Sequence, residues 1–171
     1  MFQPRARTPW MKAWLGLFIA LAFSRCALFG GGGGNLPKAK GYDVDPPDGW
    51  QEMDKADSDR AYRLGAGGVV TLNSSCTRNS QAPLEVLTKH LLFGARNVQY
   101  VDRQKISVSG TEGLFSRVSA TTEGVPFHLL LFVLPKNGCI FDFSLVSQKE
   151  VSDGDTKEFL VFIKSFKYGS K

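Results

Sequence analysis

Hydrophobic and polar positions fall into three regimes along the chain. Residues 13–24 (AWLGLFIALAFS) form one uncharged, mostly apolar run, and Gly30 to Gly34 is a run of glycine. Beyond Trp50, β-like segments are interrupted twice by helical spacing. Residues 58–64 (SDRAYRL) read as a strand, residues 65–68 as a turn, and residues 69–76 (VVTLNSSC) as the partner strand. Residues 77–82 form a polar loop. Pro83 then suits the first turn of a helix, where its missing N–H costs little. Leu84, Leu87, Leu91 and Leu92 recur at i, i+3, i+7 and i+8, which predicts one apolar face to about Phe93, with Gly94 as the stop.

A strand-rich stretch follows. Residues 98–101, 105–109 and 113–121 are short candidates carrying β-branched or aromatic side chains, and Glu123-Gly124 makes a turn. Residues 125–134 (VPFHLLLFVL) are so apolar that they predict a central strand. The Asn137-Gly138 pair signals a hairpin returning through residues 139–146 (CIFDFSLV). At the end, Phe159, Leu160, Phe162, Ile163 and Phe166 make a helical stripe, with Asp153 or Asp155 placed to cap it. That stripe has apolar strands to pack on, so it reads as core rather than as a membrane binder. The elements predict an α+β fold: a mostly antiparallel sheet of five to seven strands with two packed helices.

Charge changes the picture at the N-terminus. Of the 21 Lys and Arg, four (Arg5, Arg7, Lys12 and Arg25) lie in residues 1–25, which hold no acid; the other 17 face 16 Asp and Glu. The formal charge of +5 therefore belongs mainly to the leader. A nucleic-acid binder would keep that charge in the folded domain, so nucleic acid is not an expected partner. A basic leader followed by a twelve-residue apolar run matches a secretory signal and is shorter than the ~20 residues of a spanning helix. Residues 1–25 are read as an export signal peptide. Cys26 stands where a lipoprotein signal places its lipidated cysteine, although Phe23-Ser24-Arg25 departs from the usual small or apolar box. Cleavage after Ala22-Phe23-Ser24 with simple secretion is the competing reading, and an uncleaved anchor is a third. Five glycines resist regular structure because each loses the most backbone entropy on ordering. Residues 26–48 are accordingly read as the anchor cysteine and a flexible tether, and residues 49–171 as one domain. Ala27 gives no sorting signal between inner and outer membrane.

With Cys26 assigned to lipid, Cys76 and Cys139 remain as a pair that an oxidising compartment would close. Two buried free thiols are the alternative. The two histidines, His90 and His128, lack metal-ligand spacing to the cysteines or to each other, so no metal or cofactor is expected. No Gly-x-Ser-x-Gly elbow occurs. Ser74-Ser75-Cys76 with His90 would supply a nucleophile and base, but a disulfide accounts for Cys76 more simply. His128 and Asp142 are placed on facing strands of the hairpin and are read as a cross-strand contact worth roughly 0.2–1 kcal/mol. Glu52, Asp54, Asp57 and Asp59 read as a solvated acidic loop, not as a calcium site.

The Pro47-x-x-Trp50 entry, the strand meander with its intervening helix, and the closing Phe159-x-x-Phe162-x-x-Ser165-Phe166-Lys167 pattern resemble the PsbP-like domains of photosystem extrinsic proteins, a fold shared by several bacterial lipoproteins. The resemblance spans about residues 43–169. It implies an α-β-α sandwich and a binding or assembly role without catalysis, and it assigns no binding residues; Trp50 and Phe166 are read as core. The expectation is a lipid-anchored envelope protein facing the periplasm that binds or helps assemble a partner complex. The alternatives are a periplasmic carrier of a small apolar or lipid ligand, whose pocket the Phe-rich strands 125–145 would line, and a hydrolase.

Overall fold

The computed structural model describes residues 36–54, 58–65, 67–76 and 81–169. The export signal, Cys26 and the glycine run lie outside the described residues. In chain order the elements are β1 (Tyr42–Asp43), β2 (Gln51–Glu52), β3 (Arg60–Arg63), β4 (Val69–Cys76), α1 (Leu84–His90), β5 (Arg96–Val108), β6 (Thr111–Thr122), β7 (Val125–Lys136), β8 (Cys139–Ser147), α2 (Asp153–Lys164) and β9 (Lys167–Tyr168). Seven strands form one antiparallel sheet in the order β2-β3-β4-β8-β7-β6-β5. β1 and β9 form a separate pair, with Tyr42 opposite Tyr168.

Successive side chains on a strand point to opposite faces, and β7 shows what this does. Leu130, Phe132 and Leu134 face one way and join Phe141, Phe143, Phe159, Phe162 and Phe166 in the main core. Leu129, Leu131 and Val133 face the other way: the first two pack with Leu92, the third with Leu87. The two helices therefore lie on opposite faces, giving the α-β-α layering. A strand covered on both faces must be apolar at every position, which is why residues 125–134 show no alternation.

Three hairpins build the β5–β8 half, and all use the same device. Ser109-Gly110, Glu123-Gly124 and Asn137-Gly138 are two-residue loops with both residues at positive φ (47° and 73°, 49° and 83°, 51° and 76°). Paired left-handed residues give the turn whose twist matches that of the strands.

Four differences from the sequence reading have physical causes. Residues 98–101 and 105–108 belong to one strand, with Ser109 in the turn after it; the polar gap between them is an exposed sheet edge with a register shift between Tyr100 and Asp102. The α1 helix ends at His90, and tighter i→i+3 bonds (Leu91 to Thr88, Leu92 to Lys89, Phe93 to His90) carry the chain to Gly94. Tightening rotates successive residues further apart, so Leu91 turns outward while Leu87 and Leu92 stay buried. The α2 cap is Ser152, whose Oγ accepts from Asp155 N at 3.0 Å and donates to Asp155 Oδ2 at 2.7 Å; neither Asp153 nor Asp155 is the cap. Finally, the tether does not run to Asp48. Pro37 O accepts from Cys76 N, Ser74 Oγ accepts from Ala39 N, and Val44 is buried in the main core. Residues 37–39 run beside the part of β4 that short β3 leaves uncovered.

The entry residues of the resemblance are structural. Pro47 O accepts from Trp50 N, and the Trp50 indole donates to Glu158 Oε2 at 2.9 Å while packing on Tyr62 and Phe162. This ties the first turn of the domain to α2.

Candidate functional site

The short α1 helix covers β7 and part of β6 but stops short of the sheet edge at β5. Between them lies an open groove of about 1100 Å³. Its floor and walls include Leu92, Val98 and Tyr100, with Val86 along the helix. Phe93, in the tight turn after α1, also lines it and is 97 % exposed. A phenylalanine left almost wholly in water, next to the half-exposed Val86, Leu91 and Tyr100, is an unusual use of apolar surface. Polar and charged groups rim this patch: Glu85, Lys89 and His90 from α1, and Arg103 from β5. The Arg103 guanidinium sits 4.3 Å from the centre of the Tyr100 ring, a cation–π arrangement that leaves its donors available at the groove.

The groove is flanked by the outer edge of β5, which among the described residues pairs with β6 alone and ends the sheet. Arg96, Asp102, Arg103 and Lys105 are spaced along that edge strand, and Asn97 breaks its regularity at φ 52°. Charges and irregularities of this kind keep an edge from pairing indiscriminately.

Two half-buried acids lie elsewhere, with opposite electrostatics. Burial pushes the Asp59 carboxyl up, but hydrogen bonds from Ser74, Lys38 and Tyr42 outweigh it, and its pKa ends below the ordinary value. Lys38 Nζ lies 3.1 Å from one Asp59 oxygen, and Tyr42 Oη donates to the other at 2.9 Å. Burial and this carboxylate push the Tyr42 hydroxyl upward. Asp142, on the sheet face that carries α1, is raised to about 6 by burial, which Lys38 offsets only in part.

The sequence candidates separate rather than converge. Cys76 and Cys139 stand opposite each other in the β4–β8 register and are joined by a disulfide, so Cys76 offers no thiolate to a Cys/His mechanism. Ser74 is buried on the same main-core face of β4 as Cys76, accepting a hydrogen bond from Ala39 N. His90 lines the groove instead. His128 and Asp142 do not face each other. The two-residue Asn137-Gly138 turn sets Lys136 opposite Cys139, and counting back puts His128 opposite Ser147 and Asp142 opposite Val133. His128 Nδ1 lies 3.1 Å from Ser119 Oγ instead. In the acidic run, Asp59 is not solvated but locked to Lys38 and Tyr42, and Asp57 lies outside the described residues. The Phe-rich strands line no carrier pocket: Phe132, Phe141 and Phe143 are buried and packed edge-on or tilted against one another and against Phe162 and Phe166. Among the described residues, no three or more His, Cys, Asp or Glu side chains are grouped to hold a metal ion, and no helix is long and apolar enough to cross a membrane.

Sequence reading missed the groove. The available signals were Phe93 beyond the helix stop and the apolar Tyr100-Val101 pair in a strand otherwise rich in charge. Neither says that two elements separated by a loop leave a space between them.

The layering, strand order and entry turn define a PsbP-like α+β fold. The solution structure of cyanobacterial PsbP (CyanoP) from Synechocystis sp. PCC 6803 superposes with a TM-score of 0.56 at 16% identity, over 75% of this chain and 86% of that one. LpqN, involved in cell envelope biogenesis of Mycobacterium tuberculosis, gives 0.56 at 10% identity over 76% and 84%. A Bacteroides thetaiotaomicron protein gives 0.53 at 12% identity over 76% of this chain, which spans about half (46%) of that longer one. At such identities the likeness is one of fold. No family model matches the chain, and no curated protein matches it in sequence.

Proposed function

We propose that this is a non-enzymatic binding or assembly protein of the bacterial cell envelope, held at a membrane through lipid on Cys26 and presenting the α1–β5 groove to a partner. The observation that carries the binding role is the groove itself: an apolar recess lined by the exposed Phe93 and Tyr100, on a domain whose other described aromatic side chains are buried or partly buried. The envelope setting draws support from the basic leader, the position of Cys26 and the described role of LpqN. A non-catalytic role agrees with the disulfide that occupies Cys76 and with the dispersal of Ser74, His90, His128 and Asp142.

Two measurements test this. Intact mass of the mature protein from host membranes is expected to show a chain beginning at Cys26 with diacylglyceryl and acyl additions; a lipid-free chain beginning before or after it overturns the anchor. A photo-crosslinking amino acid at position 93 is expected to give a discrete protein adduct in cells, and the same group at Val161, on exposed α2 surface, is not. Equal adducts from both positions, or none, remove the groove as the binding site.

A second reading has one observation in its favour. The groove volume lies near the upper range of small-molecule sites, which suits a carrier of an apolar ligand. Native mass spectrometry decides it: a co-purifying lipid lost on Phe93→Ser supports the carrier.

A further inference from the structure

The groove and the sheet edge adjoin, and their chemistry is complementary. Val98, Tyr100 and Arg103, which line the groove, belong to β5, whose outer backbone edge has no partner strand among the described residues. A strand laid along that edge would run about 4.8 Å from β5. Every second side chain would rise on the α1 face beside Val98 and Tyr100, toward Phe93 and Val86. Main-chain bonds to a free edge, with alternate side chains in an adjoining recess, are the terms on which extended peptides are recognised.

The charges select the occupant. Arg96, Arg103 and Lys105 on β5, with Lys89 on α1, exceed Asp102 and Glu85, and Lys105 already holds Glu112 at 2.8 Å. A second copy pairing edge to edge would set Arg96, Arg103 and Lys105 of both chains along one seam, which like charges oppose. An acidic segment meets the opposite situation. Val101 marks where pairing can be tested: it is 64 % exposed and has no β6 partner, because the register jumps from Tyr100 to Asp102. Its replacement by proline therefore breaks no β5–β6 register pair.

We propose that the β5 edge and the α1–β5 groove together capture an extended, acidic segment of a partner protein by strand addition, with large apolar side chains at alternate positions entering the groove. This rests on the groove being the binding site, as argued above.

The test uses labelled seven-residue peptides that alternate glutamate with valine and phenylalanine, titrated into the purified protein by fluorescence anisotropy, with hydrogen exchange as the structural readout. Binding is expected to protect amides within residues 96–108. It should weaken about tenfold or more when the peptide backbone is N-methylated at alternate positions, when lysine replaces glutamate, and in Phe93→Ser, Arg103→Glu and Val101→Pro proteins. Urea unfolding midpoints of the three variants, all at exposed or rim positions, verify that they fold. No binding, equal binding of the N-methylated peptide, or protection away from β5 overturns strand addition. So does binding to phosphatidylglycerol vesicles that depends on Phe93 without peptide binding, which would make the surface a membrane-docking face. If strand addition fails while position 93 still cross-links to a protein, the binding role stands and only the mode is wrong; if both fail, the groove is not the site.

Discussion

At the residue scale, the two half-buried acids Asp59 and Asp142 give opposite pH signatures. Asp142 is held up to about 6 by burial, so the folded state keeps its proton more tightly than the unfolded chain does. Its contribution is fully present below about pH 4 and is lost as pH rises through about 6. Asp142→Asn cannot ionise, so it is expected to be more stable than the parent at pH 7.5 by about 1–3 kcal/mol, with the difference vanishing near pH 4. Asp59 has the reverse sign: its lowered pKa gives stability that is present above the ordinary carboxylate value and lost as pH falls through the folded value. Asp59→Asn should therefore destabilise at neutral pH and lose its effect in acid. Urea midpoints of both variants across pH 3–8 check the pair. Gly113 is constrained by closeness rather than by φ. A Cβ there would run into the Phe132 ring and come within 2.7 Å of Val133 O. Gly113→Ala should cost about 1–3 kcal/mol by overpacking, read as a lowered midpoint of thermal unfolding. Of these features, only the two carboxylates themselves, at 59 and 142, were visible in the sequence. Whether a carboxylate is solvated or locked depends on Lys38 and Tyr42, which another part of the chain delivers.

At the element scale, turns and periodicity were legible because their causes are local. The residue–glycine pairs at 123–124 and 137–138 marked the hairpins directly, and the register of β7 on β8 follows from the second of them by counting. The His128–Asp142 contact fails on that count alone. The α2 stripe was equally legible, but its cap was not assigned to Ser152. Ser152→Ala removes the bond to Asp155 N and should cost about 1 kcal/mol, measurable by chemical denaturation and by faster amide exchange in the first turn of α2. The two-residue strands β1, β2 and β9 carry too few positions to show any period. Each exists because the sheet or the opposite terminus offers it a partner, as Tyr168 does for Tyr42.

At the scale of the whole molecule, the Cys76–Cys139 bridge ties the end of β4 to the start of β8, across 63 positions of sequence. Removing it should cost about 4 kcal/mol in the chain-entropy account. A Cys76→Ser/Cys139→Ser double variant is expected to unfold at distinctly lower urea, and reductant should then no longer shift its midpoint. Unfolding at the same urea concentration as the parent would mean that the packed β4–β8 ladder alone holds the two ends.

The sequence by itself determined the α+β class, the two helices and the hairpin turns at 123–124 and 137–138, and it made Cys76 and Cys139 the candidate pair. These follow from patterns that repeat within a few residues or from a count of thiols. Tertiary structure alone decided which acids are withdrawn from water, where α1 stops relative to the sheet edge, and that Phe93 stands in water beside the edge strand β5. Those outcomes depend on distances between elements that the chain connects only through loops, and no local spacing records such a distance.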